Sequence, residues 1–143
     1  MNYDLGLVRT DRGRRIELGR EVPVSAAAAW TVLSEVAYWN AWGPPVTDVE
    51  YPDERVSPQT SGHVRVFGLF WVPFRIETVD GMEWTWSVRG MTPPADGHGV
   101  EDLGDGHSRV FLQLPLWAPW YLLVCAVALR RLGKVARQEG SRH

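Results

Sequence analysis

His98 is the residue in this sequence best suited to acid–base chemistry. An imidazole changes its protonation near neutral pH, so it can act as a general acid or base beside a bound molecule. Tyr121, farther along the chain, can supply a hydroxyl group. Two interpretations of His98 stay open. It is either a catalytic group or a hydrogen-bonded interior histidine that anchors a ligand.

The direction of the His98 side chain follows from the hairpin that contains it. Gly104-Asp105-Gly106 predicts a three-residue turn between two strands. This turn length places apolar residues opposite apolar residues and an acid opposite a base. The predicted pairs are Val100 with Val110, His98 with Leu112 and Glu101 with Arg109, and the inner face carries His98, Val100, Val110, Leu112 and Leu114.

An earlier hairpin is predicted to add aromatic residues to the same face. Val79-Asp80-Gly81 lies between two segments of alternating polarity. A two-residue Asp-Gly turn would put polar and apolar residues on one face, because a slip by one residue reverses the faces of a strand. A three-residue turn avoids this conflict. It pairs Ile76 with Trp84 and Phe74 with Trp86.

The sequence lacks the patterns of a metal, nucleotide or nucleophile site. Its histidines have neither helical nor cysteine–histidine spacing, and the aspartates between positions 96 and 105 do not fit a calcium loop. Gly97-His98-Gly99 lacks the third glycine and the following helix of a dinucleotide site. There is no nucleophile elbow. We expect no metal and no cofactor, and the sequence leaves open whether the protein is an enzyme.

Composition predicts an ordinary soluble domain. The chain has 143 residues, of which 45% are hydrophobic and 22% are charged, and we expect one domain over 1–143 with an ordered core at about 14–139. A net charge of −2 gives no reason to expect nucleic acid. The single cysteine, Cys125, excludes an internal disulfide and is expected to be an inert buried residue. No signal peptide is recognisable, so a cytoplasmic location is expected.

The first third of the chain predicts strands around two short helices. Residues 1–12 show no clear period and are expected to be loosely held. Ser25 is a good N-cap for a helix over Ala26–Val36. The other predicted elements are a strand at Arg14–Val22, a short helical turn at Ala37–Trp42 and a strand at Val46–Tyr51.

The segment Pro119–Gln138 predicts a long C-terminal helix around which the hairpins are arranged. Its first half is apolar on nearly all sides, whereas its second half is basic opposite an apolar stripe. That stripe holds Tyr121, Cys125, Ala128, Leu129, Leu132, Val135 and Ala136. The whole order is typical of an α+β fold in which an antiparallel sheet covers the helix.

Four segments resemble a known superfamily: the strand-to-helix opening Val22–Leu33, the aromatic stretch Tyr38–Trp42, and the strands at Glu83–Val88 and Asp105–Val110. This order resembles the helix-grip fold of the START-like (SRPBCC) superfamily, in its polyketide cyclase/dehydrase and lipid-transport group. The resemblance covers roughly residues 14–139. It implies a curved seven-stranded antiparallel sheet wrapped around the C-terminal helix, with two short helices after the first strand.

The resemblance also implies a cavity between sheet and helix for a hydrophobic small molecule, such as a lipid, a polyketide-like compound or an aromatic compound. The protein would then be a carrier or sensor. Two alternatives stay open: a cyclase or dehydratase that uses His98, and a module for dimerisation or weak membrane contact through the apolar first half of the C-terminal helix. The candidate lining consists of Trp39, Trp42, Phe74, Ile76, Trp84, Trp86, Val88, His98, Val100, Leu112, Tyr121 and Leu129.

Overall fold

One curved antiparallel sheet wraps around the C-terminal helix in a computed structural model, which describes residues 3–141. This confirms the helix-grip fold. The strand order across the sheet is β1-β2-β8-β7-β6-β5-β4-β3. The strands are β1 (Tyr3–Thr10), β2 (Gly13–Val22), β3 (Val46–Glu50), β4 (Thr60–Val66), β5 (Phe70–Asp80), β6 (Glu83–Val88), β7 (Gly97–Gly104) and β8 (His107–Pro115).

The sheet has eight strands, so the predicted number of seven is wrong. The additional strand is β1, in the segment that was expected to be loosely held. It pairs along its full length with β2, from Tyr3 opposite Arg20 to Thr10 opposite Gly13. Its apolar residues Leu5 and Leu7 alternate but stay exposed at the edge of the sheet. An edge strand buries little, and this is why its pattern gave a weak signal.

Three helices pack on the concave side of the sheet: α1 (Ala26–Ser34), α2 (Trp39–Trp42) and α3 (Leu122–Gly140). Ser25 caps α1 by accepting a hydrogen bond from the Ala28 N–H, as predicted. The predicted end of α1 at Val36 is wrong, because Glu35 is extended and forms a β-bridge with Arg55. Single 3₁₀ turns at Val36–Tyr38 and Pro119–Tyr121 lead into α2 and α3.

The register of β7 and β8 confirms the predicted pairs that include His98 opposite Leu112. The turn itself is shorter than predicted, because Gly104 pairs with His107 and leaves Asp105 and Gly106 as a two-residue turn. Both turn residues have positive φ, which aspartate and glycine tolerate. An irregularity between Asp102 and Gly104 supplies the extra residue and preserves the register beyond it.

The predicted register of β5 and β6 is wrong. Trp86 pairs with Ile76, and Val88 pairs with Phe74, whereas Trp84 lies opposite Val79. The chain reverses at residues 81 and 82, and a bulge between Ile76 and Thr78 then changes the phase of β5 by one residue. The bulge restores the apolar face, so Trp84, Trp86 and Val88 still face inward as the alternation predicted.

The hydrophobic core lies between the concave face of the sheet and one face of α3. The apolar stripe predicted for α3 is confirmed, since each of its residues is buried or half-buried. On the opposite side of the helix, Arg130, Lys134 and Arg137 are exposed. Leu123 and Val127, in the first half of α3, are exposed as well. The sheet therefore covers only one side of the apolar first half of this helix.

Candidate ligand-binding cavity

An apolar cavity of about 160 Å³ lies between the sheet and α3. Strands β4 to β8 provide its floor, and α3 covers it with Tyr121 and the residues that follow. Turns at one end of the sheet complete the wall, at residues 43–46 and 93–95. The residues around it are Trp39, Trp42, Gly43, Pro44, Pro45, Val46, Val64, Val66, Val72, Trp84, Trp86, Val88, Pro93, Pro94, Ala95, His98, Leu112, Tyr121, Val124, Cys125 and Ala128.

Trp84 is the centre of the aromatic wall. Its ring stacks nearly parallel to Trp39 at 5.1 Å and to His98 at 3.7 Å, measured between ring centroids. Trp86 meets Trp84 edge to face at 5.7 Å. Trp84 is 1% exposed. Such stacked and edge-to-face contacts fix ring positions more firmly than aliphatic packing does. The wall therefore presents a preformed shape to a ligand.

The tryptophans of the wall have their indole N–H groups engaged by the protein itself. Each donates to a backbone carbonyl, so none of these four donors is left for a ligand. The tryptophans of the wall therefore offer a ligand apolar ring surface and no hydrogen-bond donor. Trp39 and Trp84 donate to the Leu33 carbonyl at 3.2 Å, Trp42 donates to the Val32 carbonyl at 3.0 Å, and Trp86 donates to the Ala95 carbonyl at 2.8 Å.

His98 provides a hydrogen-bond acceptor at the cavity. Its Nδ1 lies 3.3 Å from the Trp84 carbonyl, which only accepts, so Nδ1 carries the proton and Nε2 has a free lone pair. Within residues 3–141, the bond from Nδ1 is the only hydrogen bond of the His98 side chain. Burial lowers the pKa of His98 to about 3, although the bond to Trp84 and the charge of Asp96 oppose this shift. The imidazole is therefore neutral at pH 7.

Tyr121 and Cys125 are the remaining groups of the cavity that can ionise, and both are neutral at pH 7. Burial raises the pKa of Tyr121 to about 12 and that of the Cys125 thiol to about 12. A thiol in this state is a poor nucleophile, because the thiolate is the reactive form. The cavity thus contains no charged side chain and two polar groups, the His98 imidazole and the Tyr121 hydroxyl, that can hydrogen-bond a ligand.

The structure brings eight of the twelve predicted lining residues together at this cavity and places the other four elsewhere. Phe74, Ile76, Val100 and Leu129 are buried in the surrounding core and do not line the cavity. Whether the lining residues contact a ligand stays a prediction. The eight are Trp39, Trp42, Trp84, Trp86, Val88, His98, Leu112 and Tyr121.

Sequence reasoning missed the turns that close the cavity. Two consecutive prolines occur in each of them, at 44–45 and 93–94. A proline pair fixes φ at both positions and removes two backbone donors, so it forms a rigid apolar wall. The paired prolines were the available signal. The valines of β3 to β5 around the cavity were also missed, since nothing in their spacing distinguishes lining from core.

A buried ion cluster holds the second of these turns in place. Asp96 accepts from the Arg15 guanidinium at 3.1 Å and forms an ion pair with Arg12 at 2.7 Å. Asp96 and Arg15 are both buried, which makes the pairing indispensable to each of them. The Asp96 backbone joins β6 to β8, through the Trp86 N–H and the Gln113 carbonyl. Arg12 and Arg15 thereby position the adjoining Pro93–Ala95 wall.

A family model described as "Polyketide cyclase / dehydrase and lipid transport" matches residues 14–134. The chain belongs to this family. The match spans most of the chain and confirms the START-like (SRPBCC) assignment that the sequence pattern predicted. Family and fold support the binding of a hydrophobic molecule in general terms. A search of curated proteins gave no match.

Solved structures share the fold at low sequence identity. The protein XoxI from Bacillus cereus is 13% identical, with 90% of this chain and 98% of that chain covered and a TM-score of 0.67. Zhui aromatase/cyclase from Streptomyces sp. R1128 is 15% identical, with 87% and 94% covered and a TM-score of 0.62. Ara h 8.0201 is 15% identical, with 93% and 99% covered and a TM-score of 0.58. These likenesses establish the helix-grip architecture alone.

Residues 3–141 contain no group of three or more histidine, cysteine, aspartate or glutamate residues arranged to hold a metal ion. Within the same residues, no helix has both the length and the apolar character needed to span a membrane.

Proposed function

We propose that this protein is a non-catalytic carrier or sensor for a small, neutral, hydrophobic molecule about the size of one six-membered ring. The observation that supports it is the cavity of about 160 Å³, walled by stacked aromatic rings and proline pairs and free of charged side chains. Its two polar groups suit a ligand with one hydroxyl, which would donate to His98 Nε2. A simple phenol combines these properties.

The volume of the cavity sets the size of the ligand. An apolar cavity of roughly 150 Å³ in another protein stays dry and binds benzene, whereas sites for drug-sized molecules occupy roughly 300–1,000 Å³. The cavity of this protein, about 160 Å³, is close in volume to the benzene-binding cavity. A lipid chain or a multi-ring polyketide would fit only after α3 or the proline turns moved outward. A single ring fits the structure as it stands.

The state of His98 favours a carrier over an enzyme. Efficient general acid–base catalysts have a pKa near the working pH. Burial lowers the pKa of His98 to about 3, so at pH 7 it has no proton to deliver from Nε2 and is a weak base. Cys125 and Tyr121 are also in their neutral, unreactive forms. An acceptor that hydrogen-bonds a ligand needs no such tuning, and this is the role we assign to His98.

Titration of tryptophan fluorescence with phenol, toluene and benzoate at pH 7 tests the proposal. Phenol and toluene should bind and change the emission of the aromatic wall. Benzoate, a ring of similar size with a charge, should bind at least about 100-fold more weakly because its carboxylate would lose its water. His98→Leu should weaken phenol binding by roughly fivefold, the value of one hydrogen bond, and leave toluene binding unchanged.

Two substitutions on α3 provide a matched comparison. Ala128 lines the cavity and is buried, so Ala128→Leu should fill the space and abolish binding of phenol and toluene. Val127, the residue before Ala128, is exposed, and Val127→Leu should leave binding intact. The proposal is wrong if neither compound binds, or if Ala128→Leu binds both as tightly as the unmodified protein.

A further inference from the structure

Large apolar side chains are exposed together at the end of the molecule where the cavity lies. The antiparallel register brings the β4–β5 turn, the end of β6 and the end of β8 to this end of the sheet. The 3₁₀ turn before α3 begins there too. We call the exposed apolar residues of these segments the rim: Phe67, Leu69, Phe70, Met91, Leu116, Trp117, Trp120 and Leu123.

The β4–β5 turn contains an apolar side chain, Phe67, that the fold itself does not require. Phe67 has φ of 52°, a left-handed conformation that asparagine, aspartate and glycine adopt more easily. Its side chain is 73% exposed, so it contributes little to the core. Leu69 and Phe70 follow it and are also exposed. Neither turn geometry nor core packing therefore explains an apolar tip here.

The β8–α3 connection brings a second exposed group to the same end. Trp117 and Trp120 lie with ring centroids 6.3 Å apart, and both rings are more than half exposed. Trp120 also packs edge to face on Tyr121, which lines the cavity. Tryptophan is the residue that most favours the boundary between water and lipid, because its ring is apolar and its N–H is polar.

Basic side chains flank the rim on the β1–β2 hairpin. Arg9 and Arg14 lie directly opposite each other, are both exposed and have no ion-pair partner within residues 3–141. Like charges in this position are unfavourable unless an anion lies near them. Arg89, beside β6, adds another exposed cation at this end. The turn of the hairpin carries one exposed carboxylate, Asp11, whereas the exposed Asp4 and Glu21 lie at the opposite end of the hairpin. The net charge around the rim is therefore positive.

We propose that the rim docks on the surface of a lipid bilayer that contains anionic headgroups. The apolar tips would enter the boundary between headgroups and acyl chains, and Arg9, Arg14 and Arg89 would meet the phosphates and carboxylates. A second copy of the chain fits less well. A two-fold symmetric pair formed through this end would bring the cations of both copies into one interface. Docking in this orientation places the cavity turns next to the lipid, from which an apolar ligand can enter.

Co-sedimentation of the full chain with vesicles tests this surface without any cavity ligand. Vesicles of phosphatidylcholine with about a quarter phosphatidylserine should retain the protein, and pure phosphatidylcholine should retain much less. Phe67→Ser/Phe70→Ser and Trp117→Ser/Trp120→Ser should each lower the partition coefficient by about tenfold or more, because two large apolar side chains leave the lipid. Arg9→Gln/Arg14→Gln should lower it only on anionic vesicles.

Two control variants separate the rim from general surface hydrophobicity. Leu5→Ser removes a leucine of comparable exposure from the middle of β1, and Leu103→Ser removes one from the opposite end of the sheet. Both should partition like the unmodified protein. Failure to bind anionic vesicles, or equal loss in the controls, overturns the proposal. A dimer by light scattering that the rim variants dissociate, without vesicle binding, would make a second copy the occupant instead. Phenol binding in the rim variants reports separately on the cavity.

Discussion

His98 lies flat against Trp84, with ring centroids 3.7 Å apart and ring planes inclined by 10°. The two residues are opposite each other on β7 and β6, and the His98 ring also reaches back to the Trp84 carbonyl. The stacked Trp84 ring covers one face of the imidazole and shields it from water. Burial of His98 in this stack favours the neutral imidazole, because burial disfavours the charged form.

The stability of the protein should depend on His98 as the pH falls. Burial lowers the pKa of His98 to about 3, whereas an unfolded histidine has a pKa of about 6.5. Between these values the unfolded chain binds a proton that the folded chain does not, so the free energy of unfolding falls as pH falls. The slope from this group is at most about 1.4 kcal/mol per pH unit. Urea unfolding at intervals from pH 7 to pH 4.5 measures it.

His98→Gln removes this titration and keeps a polar side chain beside the Trp84 carbonyl. The unfolding free energy of the variant should fall less steeply below pH 6.5 than that of the unmodified protein. Exposed histidines such as His63 and His107 are present in both proteins and cancel in the difference. Parallel curves for the two proteins would contradict this prediction, because they would mean that His98 has the same pKa in the folded and unfolded chains.

Trp84→Phe should destabilise the protein by about 1–3 kcal/mol, because it leaves a void and removes the indole bond to the Leu33 carbonyl. Trp120→Phe is the matched control on an exposed tryptophan and should change stability by less than about 0.5 kcal/mol. Chemical denaturation measures both. Equal effects would mean that the stack around Trp84 does not organise the core.

Asp96→Asn should cost about 3–5 kcal/mol, because it leaves the buried Arg15 guanidinium without a counter-charge. Glu35→Gln breaks the exposed pair with Arg55 and should cost no more than about 1 kcal/mol. Denaturation curves of the two variants give the comparison. Since the cluster holds the turn that contains Pro93 and Pro94, the Asp96 variant should also bind phenol more weakly, whereas the Glu35 variant should not.

Gly99→Ala should destabilise the sheet by about 1–3 kcal/mol, because a Cβ at this position would overlap the Phe111 ring on β8. Gly6→Ala is the control, since a Cβ there meets nothing within 4 Å. It should leave the midpoint of thermal unfolding unchanged or raise it slightly. A neutral Gly99 variant would mean that the Phe111 ring moves aside at little cost.

The local sequence pattern was enough to predict most helices and strands and the face of the sheet to which each strand residue points. Alternation identified which side of β6 carries Trp84 and Trp86. The predicted pairing of His98 with Leu112 is correct because the irregularity between Asp102 and Gly104 offsets the shorter turn. The pairing of β5 with β6 was not predictable, because the bulge after Ile76 changes the phase of the strand without a sequence signal. Strand β1 was missed for a related reason: an edge strand buries too little to require a strong pattern.

The sequence by itself determined the α+β order of elements, the inward direction of His98 and the apolar stripe of α3, because each depends on a period of two or 3.6 residues or on a short turn. The helix-grip fold was implied by the resemblance to the START-like superfamily. Only the tertiary structure decided that space remains around Trp84 and that Phe67 and Trp120 lie at the same end of the sheet. Cavity volume and surface clustering depend on how separate elements pack, and residues far apart in the chain settle both.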